Sequence, residues 1–139
     1  MELILWRHAD AEDGAPDLER SLTPKGRKDA ARVAAWLSKR LPKDFRLVAS
    51  PAARAQETAQ ALNAKIETDK RLAPGASVDD ILKAAGRGGT VVIVGHQPDL
   101  GQALAHLIGG QQAEWRLKKG ALWWIEDDLV KAVVSPDLL

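Results

Sequence analysis

The sequence predicts an α/β sandwich with a largely parallel central sheet, on three observations. Short apolar runs alternate with segments of helical periodicity along the whole chain. The run Thr90-Val91-Val92-Ile93-Val94 is β-branched and apolar on both faces, which suits a strand covered from both sides. Three of the runs break abruptly into polar residues, as strands do where they give way to loops or helices.

Taken in order, Leu3-Ile4-Leu5-Trp6 reads as a buried parallel strand, and residues 9 to 22, acidic and carrying Gly14 and Pro16, as a loop. Thr23-Pro24 starts a helix, with Thr as N-cap and Pro at the first helical position. Ala30, Val33, Ala34, Leu37 and Leu41 follow at helical spacing until Pro42. Arg46 to Ala49 predicts a second strand that breaks at Ser50-Pro51 into a helix from Ala52 to Leu62. An extended stretch at Lys65 to Thr68 precedes a turn at Pro74-Gly75. Ser77 and Asp80 form a capping-box pattern for a helix over Val78 to Ala85, which Gly86, Gly88 and Gly89 end. After the strand at 90–94 and the break Gly95-His96-Gln97-Pro98, Asp99 to Ile108 is predicted helical, with Gly109-Gly110 as its stop. Ala121 to Ile125 and Val130 to Val134 predict a closing antiparallel pair around Asp127-Asp128.

With 139 residues and neither a repeat nor a linker, residues 1–139 are expected to form one domain with its own core. A formal net charge of +1 argues against a dedicated nucleic-acid binder, so Lys25, Arg27 and Lys28 read as a solvated helix face. The chain has no cysteine, which excludes disulfides, Cys-type zinc sites and thiol catalysis. The opening apolar run is too short for a signal peptide, and no segment approaches the roughly 20 apolar residues of a membrane span. A soluble cytoplasmic protein with no membrane partner is the expectation, a monomer being favoured.

The chemistry gathers at strand ends: Arg7-His8, Ser50-Pro51 with Arg54, and Gly95-His96. Open α/β sheets place their ligand crevices at the carboxyl edge, so these clusters meet in one site if their strands are neighbours. Two guanidinium forks can hold a tetrahedral phosphate by charge-assisted hydrogen bonds. An imidazole near neutrality is partly unprotonated, and nearby arginines favour that form further. His8 is therefore a candidate nucleophile, and His96 a candidate donor to phosphoryl oxygens.

Together these residues resemble the histidine phosphatase superfamily, and more closely its SixA-type phosphohistidine phosphatases. The resemblance rests on Arg7-His8-Ala9, on Asp17-Leu18-Glu19-Arg20-Ser21-Leu22-Thr23-Pro24-Lys25-Gly26, on Ser50-Pro51-Ala52-Ala53-Arg54-Ala55-Gln56-Glu57-Thr58, and on Val94-Gly95-His96-Gln97-Pro98. Leu72-Ala73-Pro74-Gly75 is in the same style, and the matches run in order from residue 3 to about 108. The resemblance implies a three-layer α/β/α, phosphoglycerate mutase-like fold without a large lid insertion. It implies that His8 is phosphorylated, that Arg7, Arg54 and His96 line the phosphate pocket, and that no metal or organic cofactor is needed. Arg20 is a further substrate contact by the same resemblance; the competing reading is an ion pair with Asp17 or Glu19 that pins its loop.

Two departures bear on the substrate. The mutase-like branch carries Arg-His-Gly where this chain has Ala9, and the acid-phosphatase branch carries Asp where it has Gln97. No proton donor for an ester leaving group is identified by position; Asp10, Glu12, Asp17 and Glu57 are the candidates. A phosphohistidine needs such a donor less, because its leaving imidazole can be protonated at neutral pH. The expected substrate is a phosphorylated histidine on another protein. Rival readings are a small phosphomonoester, a module that binds phosphate without hydrolysing it, and a metallohydrolase, whose zinc-ligand spacings the chain lacks. His106 is expected to be a surface or packing residue. Of the five tryptophans, Trp6 and Trp36 are expected in the core, with Trp123 and Trp124 on opposite faces of a strand.

Overall fold

A computed structural model describes all residues 1–139. Six strands form one mixed sheet: β1 (Glu2–Arg7), β2 (Arg46–Ala49), β3 (Ile66–Thr68), β4 (Thr90–Gly95), β5 (Leu122–Glu126) and β6 (Leu129–Val134). Their spatial order is β3-β2-β4-β1-β5-β6. The first four are mutually parallel, and β5 and β6 complete the sheet as an antiparallel hairpin beside β1. All six residues of β4 are buried, as its two-sided apolar sequence requires of a strand near the sheet centre.

Four helices cover the two faces: α1 (Pro24–Ser38), α2 (Ala53–Gln60), α3 (Val78–Ala85) and α4 (Asp99–Leu104). Strand alternation divides the apolar side chains between them. Ile4, Trp6, Val92 and Val94 pack in one cluster with Val33 and Leu37 of α1 and Ala55 and Ala59 of α2. Leu3, Leu5, Val91 and Ile93 pack in another with Ile81 of α3 and Leu100 and Leu104 of α4. The result is a three-layer α/β/α sandwich. None of its helices is long and apolar enough to cross a membrane.

The local signals act as anticipated. Thr23 caps α1 by accepting the Gly26 N–H at 2.9 Å, with Pro24 in the first turn. Gly26 is required there for space: a Cβ at that position would lie 2.0 Å from the Asp10 carbonyl oxygen. The capping box of α3 is complete, Ser77 and Asp80 each accepting the other's backbone N–H. Trp6 is fully buried and donates its indole N–H to the Gly120 carbonyl. Trp36 is half-buried and packs edge-on against Trp124, whereas Trp123 turns to the other face and meets Trp115.

Boundaries differ in three places. The first helix ends at Ser38, ahead of Pro42, because a turn intervenes. The second spans only Ala53–Gln60, within the expected 52–62. The helix expected over 99–108 is α-helical only to Leu104; its last turn, Ala105–Gly109, widens to π geometry before Gly110 stops it in the left-handed region. Within the 9–22 loop, a bridge between Ala11 and Leu22 and one 3-10 turn at Asp17–Glu19 hold the chain in place.

Candidate active site

Arg7 and Gly95 are paired residues at the ends of the adjacent parallel strands β1 and β4. His8 and His96 are therefore each one residue beyond the same rung. The His8 N–H continues the ladder to the Gly95 carbonyl at 3.1 Å, and the Ser50 N–H does so from β2 to the Val94 carbonyl at 3.0 Å. All three motif clusters thus meet at the carboxyl edge of the sheet, and the two imidazole centroids lie 5.2 Å apart.

His8 Nδ1 lies 2.7 Å from the Ala9 carbonyl oxygen, which can only accept. The Nδ1 proton is committed there, so Nε2 keeps its lone pair. Burial pushes the His8 imidazole down to about 4, with Arg54 and Arg7 adding to the shift against the Ala9 hydrogen bond. His96 is pushed down to about 3 by burial, then by His8 and Arg54. Both rings are neutral at pH 7.

Arg54 is 4% exposed, and its guanidinium is aimed by Asp17: Nη1 donates to the backbone carbonyl at 2.9 Å and Nη2 to Oδ2 at 3.1 Å. The other Asp17 oxygen accepts from Arg20 Nε at 3.1 Å, and Arg20 Nη1 reaches the Glu12 carbonyl. Arg20 thus makes the ion pair with Asp17 that one reading expects, and it also lines the cavity. Arg7 is held by a 2.8 Å bond from Nη1 to the Leu117 carbonyl.

A cavity of about 270 Å³ is lined by Arg7, His8, Arg20, Arg54 and His96, all five singled out from the sequence. Three buried nitrogens of these residues have no hydrogen-bond partner: Arg7 Nε, Arg54 Nε and His96 Nδ1. Unpaired buried polar atoms are costly, and a tetrahedral oxyanion is a ligand able to accept several hydrogen bonds at once from residues of this kind. No group of three His, Asp or Glu side chains suited to a metal ion occurs. The third histidine, His106, lines a separate cleft of about 630 Å³ beside Asp79, Gln102 and Glu114.

The four carboxylates weighed as proton donors are not in the cavity wall. Asp10 accepts from Thr23 and Lys119, which hold its carboxyl below the usual range, and Arg54 does the same to Asp17. Glu57 accepts the Leu22 N–H and pairs with Arg27, tying the 9–22 loop to α2. The Glu12 side chain is exposed outside the wall. Asp13 is the carboxylate that lines the cavity, together with Gln97 and Lys119. Gln97 belongs to the motif around His96, whereas Asp13 and Lys119 carry no signal in the sequence, being polar residues of loops.

Two hydroxyls also escape a reading by residue type. Thr58, fully buried, accepts the Ala9 N–H at 3.0 Å and donates to the Arg54 carbonyl one turn back. It joins the segment carrying His8 to the helix carrying Arg54. Ser50, also fully buried, contacts His96 Nε2 at 2.8 Å.

Such a sheet edge, with paired arginines and histidines around one small cavity, is chemically suited to hold a tetrahedral phosphoryl group. The family model for the histidine phosphatase superfamily (branch 1) matches residues 3–76, and the chain belongs to that superfamily. An uncharacterised protein of Picosynechococcus sp. (strain PCC 7002) is 35% identical over 137 residues, covering 88% of this chain and 82% of the relative. An uncharacterised Mycobacterium tuberculosis protein is 32% identical over 99 residues, 66% of this chain and 63% of the relative, so the match spans less than two thirds of that protein. Among solved structures, the protein histidine phosphatase SixA complexed with tungstate superposes with a TM-score of 0.85 at 24% identity, covering 99% of both chains. A structure from Nakamurella multipartitia, named as a SixA phosphohistidine phosphatase, gives a TM-score of 0.81 at 27% identity, over 97% of this chain and 95% of its own. The fold is the phosphoglycerate mutase-like one, without a large lid, and the likeness is to SixA.

Proposed function

We propose that this protein is a phosphohistidine phosphatase that removes the phosphoryl group from a histidine of another protein through a phospho-His8 intermediate. The observation that carries the reading is the 2.7 Å contact of His8 Nδ1 with the Ala9 carbonyl oxygen, which sets the tautomer. With its Nδ1 proton given to the Ala9 carbonyl, Nε2 offers a lone pair beside Arg7, Arg54 and His96.

In the first step the Nε2 lone pair attacks phosphorus in line. The new N–P bond forms as the bond from phosphorus to the substrate imidazole breaks, and that imidazole leaves with the electron pair and takes up a proton. Arg7 and Arg54 balance the charge on the equatorial oxygens, with His96 as a further donor. Water then attacks phospho-His8, releasing inorganic phosphate and restoring the lone pair. Neither step calls on a metal ion in this scheme. Because the leaving imidazole protonates readily at neutral pH, the engagement of Asp10, Asp17 and Glu57 elsewhere does not obstruct it.

A second reading, a small phosphomonoester substrate, draws support from Asp13, the one carboxylate in the cavity wall and a group that could protonate an alkoxide. Turnover on a phosphohistidine-bearing protein, set against a panel of phosphate esters, separates the two. Labelled phosphohistidine protein should leave acid-labile label on His8 and none on a His8→Ala variant. Label elsewhere, or binding without any release of phosphate, would overturn the covalent route.

A further inference from the structure

Ser50 lies where β2 ends, its backbone N–H bonded to Val94 and its carbonyl accepting from Gln56 Nε2. Its side chain is enclosed, and the hydroxyl oxygen has two neighbours: the Ala52 N–H at 3.2 Å and His96 Nε2 at 2.8 Å. The Ala52 N–H can only donate, so that contact uses an oxygen lone pair. The hydroxyl proton then has one available destination, the His96 Nε2 lone pair. If Nε2 carried the ring proton instead, the Ser50 hydroxyl would be a buried donor without an acceptor.

We propose that Ser50 is a positioning residue that fixes His96 in the tautomer protonated at Nδ1. Nδ1 is the buried His96 atom that has no partner within the protein. With the proton on Nδ1, His96 presents a neutral N–H donor for a phosphoryl oxygen; with the proton on Nε2, it would present a lone pair to that oxygen and repel it. Ser50 thus acts on the transition state through the imidazole without touching substrate. The catalytic half of this inference rests on the phosphatase reading above, whereas the tautomer itself does not.

Long-range ¹H–¹⁵N correlation spectra of the unaltered protein, labelled at histidine nitrogen, read the tautomer directly. His96 is assigned by difference from His8→Asn and His106→Gln variants. His96 should show a protonated Nδ1 and an unprotonated Nε2; the reverse pattern overturns the proposal whatever the protein hydrolyses. In Ser50→Ala, the Nδ1-protonated form should lose its dominance and kcat should fall on the order of 10- to 100-fold, with KM little changed. A Ser50→Ala variant that keeps both the tautomer and wild-type turnover also overturns it. Should Ser50→Ala fail to fold, the spectrum of the unaltered protein still decides. An Nδ1-protonated His96 in a protein that releases no phosphate from any substrate would count against the phosphatase reading and leave the tautomer assignment standing.

Discussion

Acidification is expected to destabilise the protein between about pH 6.5 and 4, through its buried imidazoles. His8 has an ordinary value of 6.5 and is held at about 4 in the fold. As pH falls through 6.5 the unfolded chain takes up a proton that folded His8 refuses, so stability drops until the folded ring titrates near 4. The full interval corresponds to about 3 kcal/mol for His8, of which about 2 kcal/mol is lost between pH 7 and 4.5. His96, at about 3 and 4% exposed, acts in the same direction. Asp99 opposes, because burial pushes its carboxyl up. Asp10, Asp17 and Asp69 are all held below 3.8, so their stabilising contribution is lost only as the pH falls past the histidine window. Against a typical total of roughly 5–15 kcal/mol, the histidine contribution is large. Urea midpoints measured from pH 7 to 4.5 should fall steadily for wild type. With a denaturant slope of about 1–3 kcal/mol/M, replacing His8 by Asn should remove about 1 M of that fall. Midpoints with the same pH dependence in wild type and His8→Asn would refute the assignment of a buried, neutral His8.

Arg54→Ala should lower kcat/KM by on the order of 100- to 1000-fold in steady-state assays, as loss of a preorganised charged donor does. Near-normal turnover would remove the arginine clamp. Asp17→Ala removes the carboxylate that aims Arg54 and Arg20 but leaves their backbone contacts, and should cost roughly tenfold in kcat/KM and also lower the urea midpoint, since the buried Arg54 loses its counter-charge. Gly26→Ala sets a Cβ 2.0 Å from the Asp10 carbonyl oxygen. The overpacking cost of about 1–3 kcal/mol should outweigh the helix propensity gain of about 1 kcal/mol, so Tm in a thermal melt should fall. A raised Tm would show that the 9–22 loop gives way. Phosphatase activity should be unchanged after dialysis against a chelator, and a loss restored by a divalent ion would overturn the metal-free scheme.

Strands were legible because each apolar run also carries its own terminator. Ser50-Pro51 ends β2 and Gly95-His96 ends β4, and the strand boundaries agree with the sequence to about a residue. Strand order was not, since nothing in β1 names β4 as its neighbour across more than 80 positions. The convergence of Arg7, His8, Arg54 and His96 was readable only as a condition, namely that their strands be adjacent. The carboxylates show where local reading stops. Asp17 is one of several acids in a polar loop, and its engagement with Arg54 exists only once the 3-10 turn at Asp17–Glu19 packs against α2. Lys119 reaches Asp10 from 109 residues away, a contact that no spacing rule anticipates. Ser50 and Thr58 were visible as motif letters, but their two-sided hydrogen bonding depends on burial.

The spacing of the two histidines has a consequence for what the protein can accept. Each ring follows one residue after the same rung of a parallel pair, so the 5.2 Å between them tracks the distance of roughly 4.8 Å that any sheet keeps between strands. Under the proposed function the backbone ladder is a ruler for a single tetrahedral group, set by the sheet and not by the flanking loops. Whatever carries that group is judged by the loops instead. On that reading, changes in residues 9 to 22 or around Lys119 retune the choice of carrier while the spacing of the two rings stays fixed.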